Sequence, residues 1–312
     1  MADGETIVPR RRTCGTMHVH YQLLESHPQF RVNLTALEHA TTARLASAAM
    51  FKIADKVQIA VVVHVVFNTA AENISKQQVD SQIAALNRDY SAQNPDKTKA
   101  PGVWSGLVTD VGIEFALATK DPQGNATDGV TRTQTQKQSF GQDDSVKSAA
   151  QGGADPWPTD RYLNIWVCTL GGGLLGYAQF PGGPPATDGV VILNTAFGTV
   201  GTATAPFNLG RSATHECAHF FNLHHIWGDT DDCSGSDFVD DTPKQQSPNF
   251  GKPAFPHISC TNGPTGDMFM NYMDYVDDDS MVMFTPGQVA RIHAALAGPR
   301  NSLVTNSLAL TS

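Results

Sequence analysis

Basic charge is scarce in this 312-residue chain: 21 Lys and Arg stand against 30 Asp and Glu, a formal net charge of −9. A general nucleic-acid binder would carry the opposite balance. Long apolar runs are missing as well. The longest, Ile59 to Phe67, is broken by His64 and falls far short of the roughly 20 residues that a bilayer crossing needs. Neither nucleic acid nor membrane is therefore an expected partner. Arg10, Arg11 and Arg12 are followed by no apolar segment, so no signal peptide is legible at the N-terminus. Glutamate is rare in the second half, where Glu216 is the only one after residue 114. Cysteine is sparse and odd in number. Of Cys14, Cys168, Cys217, Cys233 and Cys260 at least one must stay a thiol.

What remains is a globular composition. Apolar residues make up 40% of the chain, which excludes a disordered protein and is ample for a core without staples. Its length suits one large or two modest domains. The 27 Gly and 18 Pro forecast much turn and loop.

Residues 1 to about 57 show no clear period, and Gln22 to Met50 reads as a helix with a poor apolar stripe. Val57 to Phe67 reads as a strand. Ser75 to Tyr90 reads as an amphipathic helix with Ser75 as N-cap and Val79, Ile83 and Leu86 on one face. Gly112 to Ala118, Leu163 to Leu170 and Val190 to Leu193 are further strand segments. Arg211 to Leu223 is a second helix, and Thr285 to Ala297, with Pro286 in its first turn, is the last. Between Gly228 and Asn271 little is periodic.

The chemistry is concentrated in His215-Glu216-Cys217-Ala218-His219. Positions i and i+4 share one helix face, so His215 and His219 present two imidazoles to one metal ion, with Glu216 beside them. Zinc acidifies a water it binds, and a neighbouring carboxylate takes the proton. This is the H-E-x-x-H arrangement of zinc proteases. A catalytic zinc usually has three protein ligands. His225 is the favoured third, reached by a sharp exit near Asn222, a residue type that tolerates positive φ. His224 and a downstream Asp remain alternatives at this point; a later Glu does not exist.

His215 to His225 resembles the long zinc motif of the metzincin clan, with Asn222 in place of Gly. Asn271-Tyr272-Met273-Asp274-Tyr275 resembles the clan's Met-turn. His225-Ile226-Trp227-Gly228-Asp229, Gly266 to Met270, and Gly172 to Pro181 are similar to segments of the pappalysin family, and the likeness runs from Val57 onward.

The resemblance implies an α+β metzincin-like fold. It would have a twisted mixed sheet and two long helices above a zinc cleft, and an irregular lower part ending in a C-terminal helix. It divides the chain into a pro-segment, 1–57, and a catalytic domain, 58–312, whose upper subdomain ends at 222. It implies a secreted zinc endopeptidase acting on proteins or peptides. His215, His219 and His225 would bind zinc, Glu216 would be the general base, Tyr275 would stabilise the oxyanion, and Met273 would be structural. It makes Cys14 the latent form's zinc ligand, and relatives bind calcium in the region of the Asp229–Asp241 run. Cys233 and Cys260 would form a bridge across the irregular segment, where a disulfide helps most. Relatives carry a second bridge at the positions of Lys252 and Ser280, lost here as a pair. By the same likeness an acid just before Ser280, Asp279, selects Arg or Lys after the scissile bond, which would allow self-cleavage before Arg44, Lys52 or Lys56. Two other readings compete: a catalytically silent binding protein on this scaffold, and a delivered intracellular protease toxin.

Overall fold

The structure is a computed structural model that describes residues 9–46 and 56–311. Its centre is β1, Val57–Phe67, a run of Val, Ile and Ala buried along almost its whole length. A strand buried on both faces belongs inside a parallel sheet, and β1 sits there. On one side it pairs in parallel first with β2, Ile113–Leu117, and then with β3, Val130–Gln134. On the other side it pairs in parallel with β4, Leu163–Cys168, which pairs with β6, Val190–Leu193. The short β5, Gly176–Ala178, closes the order β2-β1-β4-β6-β5 as the antiparallel edge.

Two helices cover one face. In α3, Lys76–Tyr90, the Ser75 hydroxyl accepts from the Gln78 amide, the N-cap expected from the sequence. Val79, Leu86 and Tyr90 of this helix join Ile59, Val61 and Val63 of β1 in the main core. Ala213, Cys217 and Phe220 of α4, Arg211–Phe220, belong to the same cluster. Each fully buried Val, Leu or Phe there stabilises the fold by roughly 1.5–3 kcal/mol. The opposite face carries Trp166, Cys168 and Val191 in a second cluster. That cluster takes in Val19 and Leu23 of α1, Thr16–Ser26, and Phe30 of α2, Pro28–Ala46.

Below α4 the chain is mostly irregular. A disulfide joins Cys233 to Cys260 across 27 positions, a closure that contributes roughly 3 kcal/mol. β7, Phe250–Gly251, pairs in parallel with β8, Tyr275–Val276. α5, Pro286–Leu296, begins with a capping box between Thr285 and Gln288.

Several expectations change. The N-terminal segment holds two helices, α1 and α2; the helix expected within 22–50 is present as α2, and α1 packs against β5 while α2 packs against α5, so no single stripe runs through them. α5 is not the last helix, because α6, Asn301–Thr311, follows and lies against β1. α4 ends at Phe220 rather than Leu223, where the chain bends toward the site. β3 and β5, too short and polar or too Gly-rich to read, were not foreseen. The 57/58 boundary falls at the start of β1, next to 47–55. Lys52 lies outside the described residues, as does the Arg44 side chain.

Candidate metal centre

α4 is fixed before it can present anything. Arg211 at its first turn is buried, with Nη1 donating to Asp89 and to the Tyr272 hydroxyl, both at 2.5 Å, and Nη2 donating to Asp96 at 2.9 Å. One helical turn on, His215 and His219 face the same way. The helix then stops, and Asn222 turns the chain at φ 77°. The energetic cost of that conformation is small for Asn, and the bend brings His225 back. The Nε2 atom of His219 lies 3.1 Å from that of His215 and 3.0 Å from that of His225. Cys14 Sγ completes the group: the four donor atoms all lie within 4.8 Å of one another.

Each imidazole is held from behind. Nδ1 of His215 meets the Tyr272 carbonyl at 2.6 Å, Nδ1 of His219 the Leu223 carbonyl at 2.6 Å, and Nδ1 of His225 the Asp229 carboxylate at 2.5 Å. These acceptors place the proton on Nδ1 and leave three Nε2 lone pairs converging. Burial, then neighbouring imidazoles, push His215 and His219 well below the usual histidine range. Three imidazoles with facing Nε2 atoms and one thiol are a donor set that fits a tetrahedral zinc. His224 takes no part; it stacks on Phe180 with ring centres 4.8 Å apart.

Glu216 is 2% exposed, and burial raises it to about 7. It accepts from the Cys14 thiol at 3.2 Å and from the Thr16 hydroxyl at 2.9 Å. Burial, then the charge of Glu216, pushes the Cys14 thiol well above its ordinary value, which only a nearby cation would reverse. Tyr275 is pushed well up by burial and by the Cys14 and Glu216 charges, so it remains a donor, and its hydroxyl donates to the Cys14 carbonyl at 3.5 Å. Met273 is fully buried, and its carbonyl accepts from the Ile226 amide at 3.3 Å. That bond ties the turn to the chain segment carrying His225.

The N-terminal segment reaches the cluster by joining the sheet edge. Cys14 pairs in parallel with Gly176; the Gly15 amide donates to the Gly176 carbonyl at 2.9 Å and the Leu175 amide to the Thr13 carbonyl at 3.0 Å. A Cβ at Gly176 would stand 2.7 Å from the Val191 carbonyl oxygen and 2.9 Å from Glu216 Cγ, so the strand comes this close to the carboxylate only as glycine. Thr16 accepts from the Ala178 amide at 2.8 Å.

Beside the cluster lies a buried ion pair that sequence patterning does not single out. Arg12 is 2% exposed; its Nη2 donates to Asp278 at 2.6 Å, Nη1 to Ser212 at 3.1 Å and Nε to the Val276 carbonyl at 3.2 Å. The second Asp278 oxygen accepts from the Leu209 amide at 2.7 Å, just ahead of α4. Asp279, the acid expected to select a basic residue, points away and pairs with Lys252 at 2.6 Å on the surface. Its neighbour Asp278 is the buried one because it caps the approach to α4. The run of three arginines ahead of Cys14 was the available signal.

The acids of the Asp229–Asp241 run do not gather around a vacant centre, and the calcium expectation finds no support. Asp229 serves His225, Asp232 accepts from Ser234, Asp237 from Thr242, and Asp241 from Thr285 and the Gly287 amide.

The chain is similar to known metalloproteases in sequence and in fold. The family model for pregnancy-associated plasma protein-A peptidases matches residues 146–297. An extracellular metalloprotease of Pyricularia oryzae is 34% identical over 244 residues, covering 75% of this chain and 73% of the relative. Mature mirolysin of Tannerella forsythia, solved with a cleaved peptide, superposes with a TM-score of 0.81 at 47% identity, covering 83% of this chain and 99% of that one. A point mutant of promirolysin superposes at 0.88 with 43% identity, covering 96% and 100%. The chain, with its helix-borne histidines, buried Met273 and mixed sheet, belongs to the pappalysin family of metzincin metalloproteases.

Proposed function

We propose that the protein is a secreted zinc endopeptidase made as a cysteine-switch zymogen and selective for Arg or Lys just after the scissile bond. One observation carries the reading: three helix-and-turn histidines and Cys14 bring four donor atoms within 4.8 Å of one another. His215, His219 and His225 hold zinc by Nε2, and Cys14 fills the fourth position in the latent form. Zinc in such a site acidifies a water and polarises the substrate carbonyl. Glu216 is not a donor of that set. Raised to about 7, its carboxylate is matched to accepting a proton at neutral pH and returning it to the leaving amine. Tyr275, which already donates to a carbonyl oxygen at this spot, steadies the oxyanion. Met273 and the Cys233–Cys260 bridge are structural.

Residues 1 to about 57 are the pro-segment. In its support, the promirolysin match takes in 96% of the chain and the mature one 83%. It blocks three things together: the zinc position through Cys14, the base through Thr16, and the edge of β5. Arg12 lies in the pocket that a basic substrate side chain fills, and buried Asp278 answers its charge through one charge-assisted hydrogen bond at 2.6 Å. The relatives named extracellular metalloproteases support secretion, against a toxin acting inside cells, and an intact Glu216 argues against a silent binding protein.

Metal analysis beside a casein assay, with and without a chelator, tests the reading. One zinc per chain and chelator-sensitive cleavage are expected, with Glu216→Ala inactive but still zinc-loaded. Turnover by Glu216→Ala comparable to the unaltered protein would sink the mechanism.

A further inference from the structure

Next to the Arg12 pocket the cleft wall makes a second contact with a cation. The guanidinium carbon of Arg11 stands 5.0 Å from the centre of the Phe250 ring. Phe250 is 36% exposed, although most large apolar side chains among the described residues are buried. Its ring is nevertheless held in place. The β7–β8 pairing sets Phe250 opposite Tyr275, with ring centres 6.0 Å apart. The next residue, Gly251, accepts from the Asp277 amide at 2.9 Å, which brings the acidic run Asp277 to Asp279 alongside. The neighbouring cation, Lys252, is engaged by Asp279.

The register of the chain in the cleft is not adjustable here. Arg12 is pinned by three separate acceptors, and residues 10 and 11 form a bend just ahead of it. With residue 12 buried in the pocket, residue 11 is directed to the rim, where Phe250 stands. Arg10, one further, is exposed. The two contacts differ in kind. Arg12 meets a carboxylate in a dry pocket, whereas Arg11 lays its guanidinium on the face of an aromatic ring beside water.

We propose that Phe250 is a specificity-determining residue, forming a subsite for a cationic side chain at the second position after the scissile bond. This rests on the reading above, with the N-terminal segment, parallel to β5 at Cys14, lying in the cleft with the polarity opposite to a substrate's, so that Arg12 takes the first position and Arg11 the second. The ring face attracts a flat guanidinium more readily than a strongly hydrated ammonium, so Arg is favoured over Lys. An exposed contact of this type changes rate or affinity by about two- to five-fold, enough to rank substrates that share a basic first residue.

The test uses zinc-loaded enzyme, produced as the full chain and matured by removal of its N-terminal segment. Peptide pairs carry Arg at the first position after the cleaved bond and either Arg or citrulline, its uncharged isostere, at the second. The expected kcat/KM is about two- to five-fold higher for Arg. Phe250→Leu should bring the ratio to one, while Phe250→Tyr, which keeps the ring face, should preserve it. Equal rates in the unaltered enzyme, or an unchanged ratio in Phe250→Leu, overturn the proposal. Failure of the underlying reading looks different: exchanging Arg for citrulline at the first position would leave the rate unaffected. A second measurement needs no variant of the enzyme. A peptide copying Pro9 to Ser26 is titrated as an inhibitor, and citrulline in place of Arg11 should weaken it two- to five-fold; undiminished inhibition likewise refutes the subsite.

Discussion

Glu38 and Arg291 meet fork to fork. Nη1 of Arg291 donates to one carboxylate oxygen at 3.0 Å and Nη2 to the other at 2.8 Å. The arginine side chain is 1% exposed and the glutamate side chain 30%. The same Glu38 accepts from the Asn222 side chain at 3.0 Å, so α2 holds the residue at which the chain turns toward His225. The N-terminal segment is thus anchored at a point independent of Cys14.

Removing that anchor should be felt. Glu38→Ala leaves a buried guanidinium without its carboxylate, and we expect a loss of about 1–3 kcal/mol in the stability of the full chain. Urea denaturation of the zinc-loaded protein reads the loss, and residual casein cleavage before maturation should rise. An unchanged midpoint together with unchanged residual activity would mean that the ion pair does not secure the segment.

Cys14→Ala should raise the activity of the full chain toward that of a form lacking residues 1 to about 57. The rise should stop short of it, because Arg12, Thr16 and Glu38 still hold the segment in the cleft. Equal activity of full-length, truncated and Cys14→Ala proteins would disprove the switch.

Of the two adjacent acids, Asp278 should govern selectivity and Asp279 should not. Asp278→Asn removes the charge that answers Arg12 and should cost a few kcal/mol of preference for Arg or Lys, on the order of a hundredfold. Asp279→Ala should leave the profile intact. Mass-spectrometric profiling of a peptide library decides between them, and the reverse pattern would restore Asp279 to the pocket.

Acid stability should depend on His64. Its ring is buried, stacked on Trp166 at 5.2 Å and bonded to Thr131 and Asn164, and burial lowers its pKa from 6.5 to about 4. The unfolded chain therefore takes up the proton first as pH falls. The contribution is complete above pH 6.5 and is lost as pH drops through about 4, an effect of about 3 kcal/mol. The difference in unfolding free energy between the unaltered protein and His64→Gln should shrink across that window. A difference constant with pH would show that His64 does not carry it.

Local rules made much of this molecule legible. Ser75 announced α3 and Pro286 α5, because caps act within one turn. The zinc motif was readable since helical spacing alone puts His215 and His219 on one face, and Asn222 permits the bend to His225. Long-range placement was hidden. That Asp278 rather than Asp279 turns inward depends on α4 needing a cap some seventy residues earlier in the chain. The two N-terminal helices draw their stability from surfaces supplied by the rest of the fold, so their own pattern is weak. Arg12 offered only a charge run, which by itself resembles any solvated tail.

Gly176 bears no functional group, yet the cleft is assembled around its bare Cα. In a saturation screen scored by substrate turnover, its replacements should be as silent as those of Glu216. A map of intolerance would then mark as reactive a position that contributes only room. Distinguishing the two requires counting bound metal and folded protein alongside turnover, for the glycine substitutions should disturb the sheet edge while those at Glu216 leave it standing.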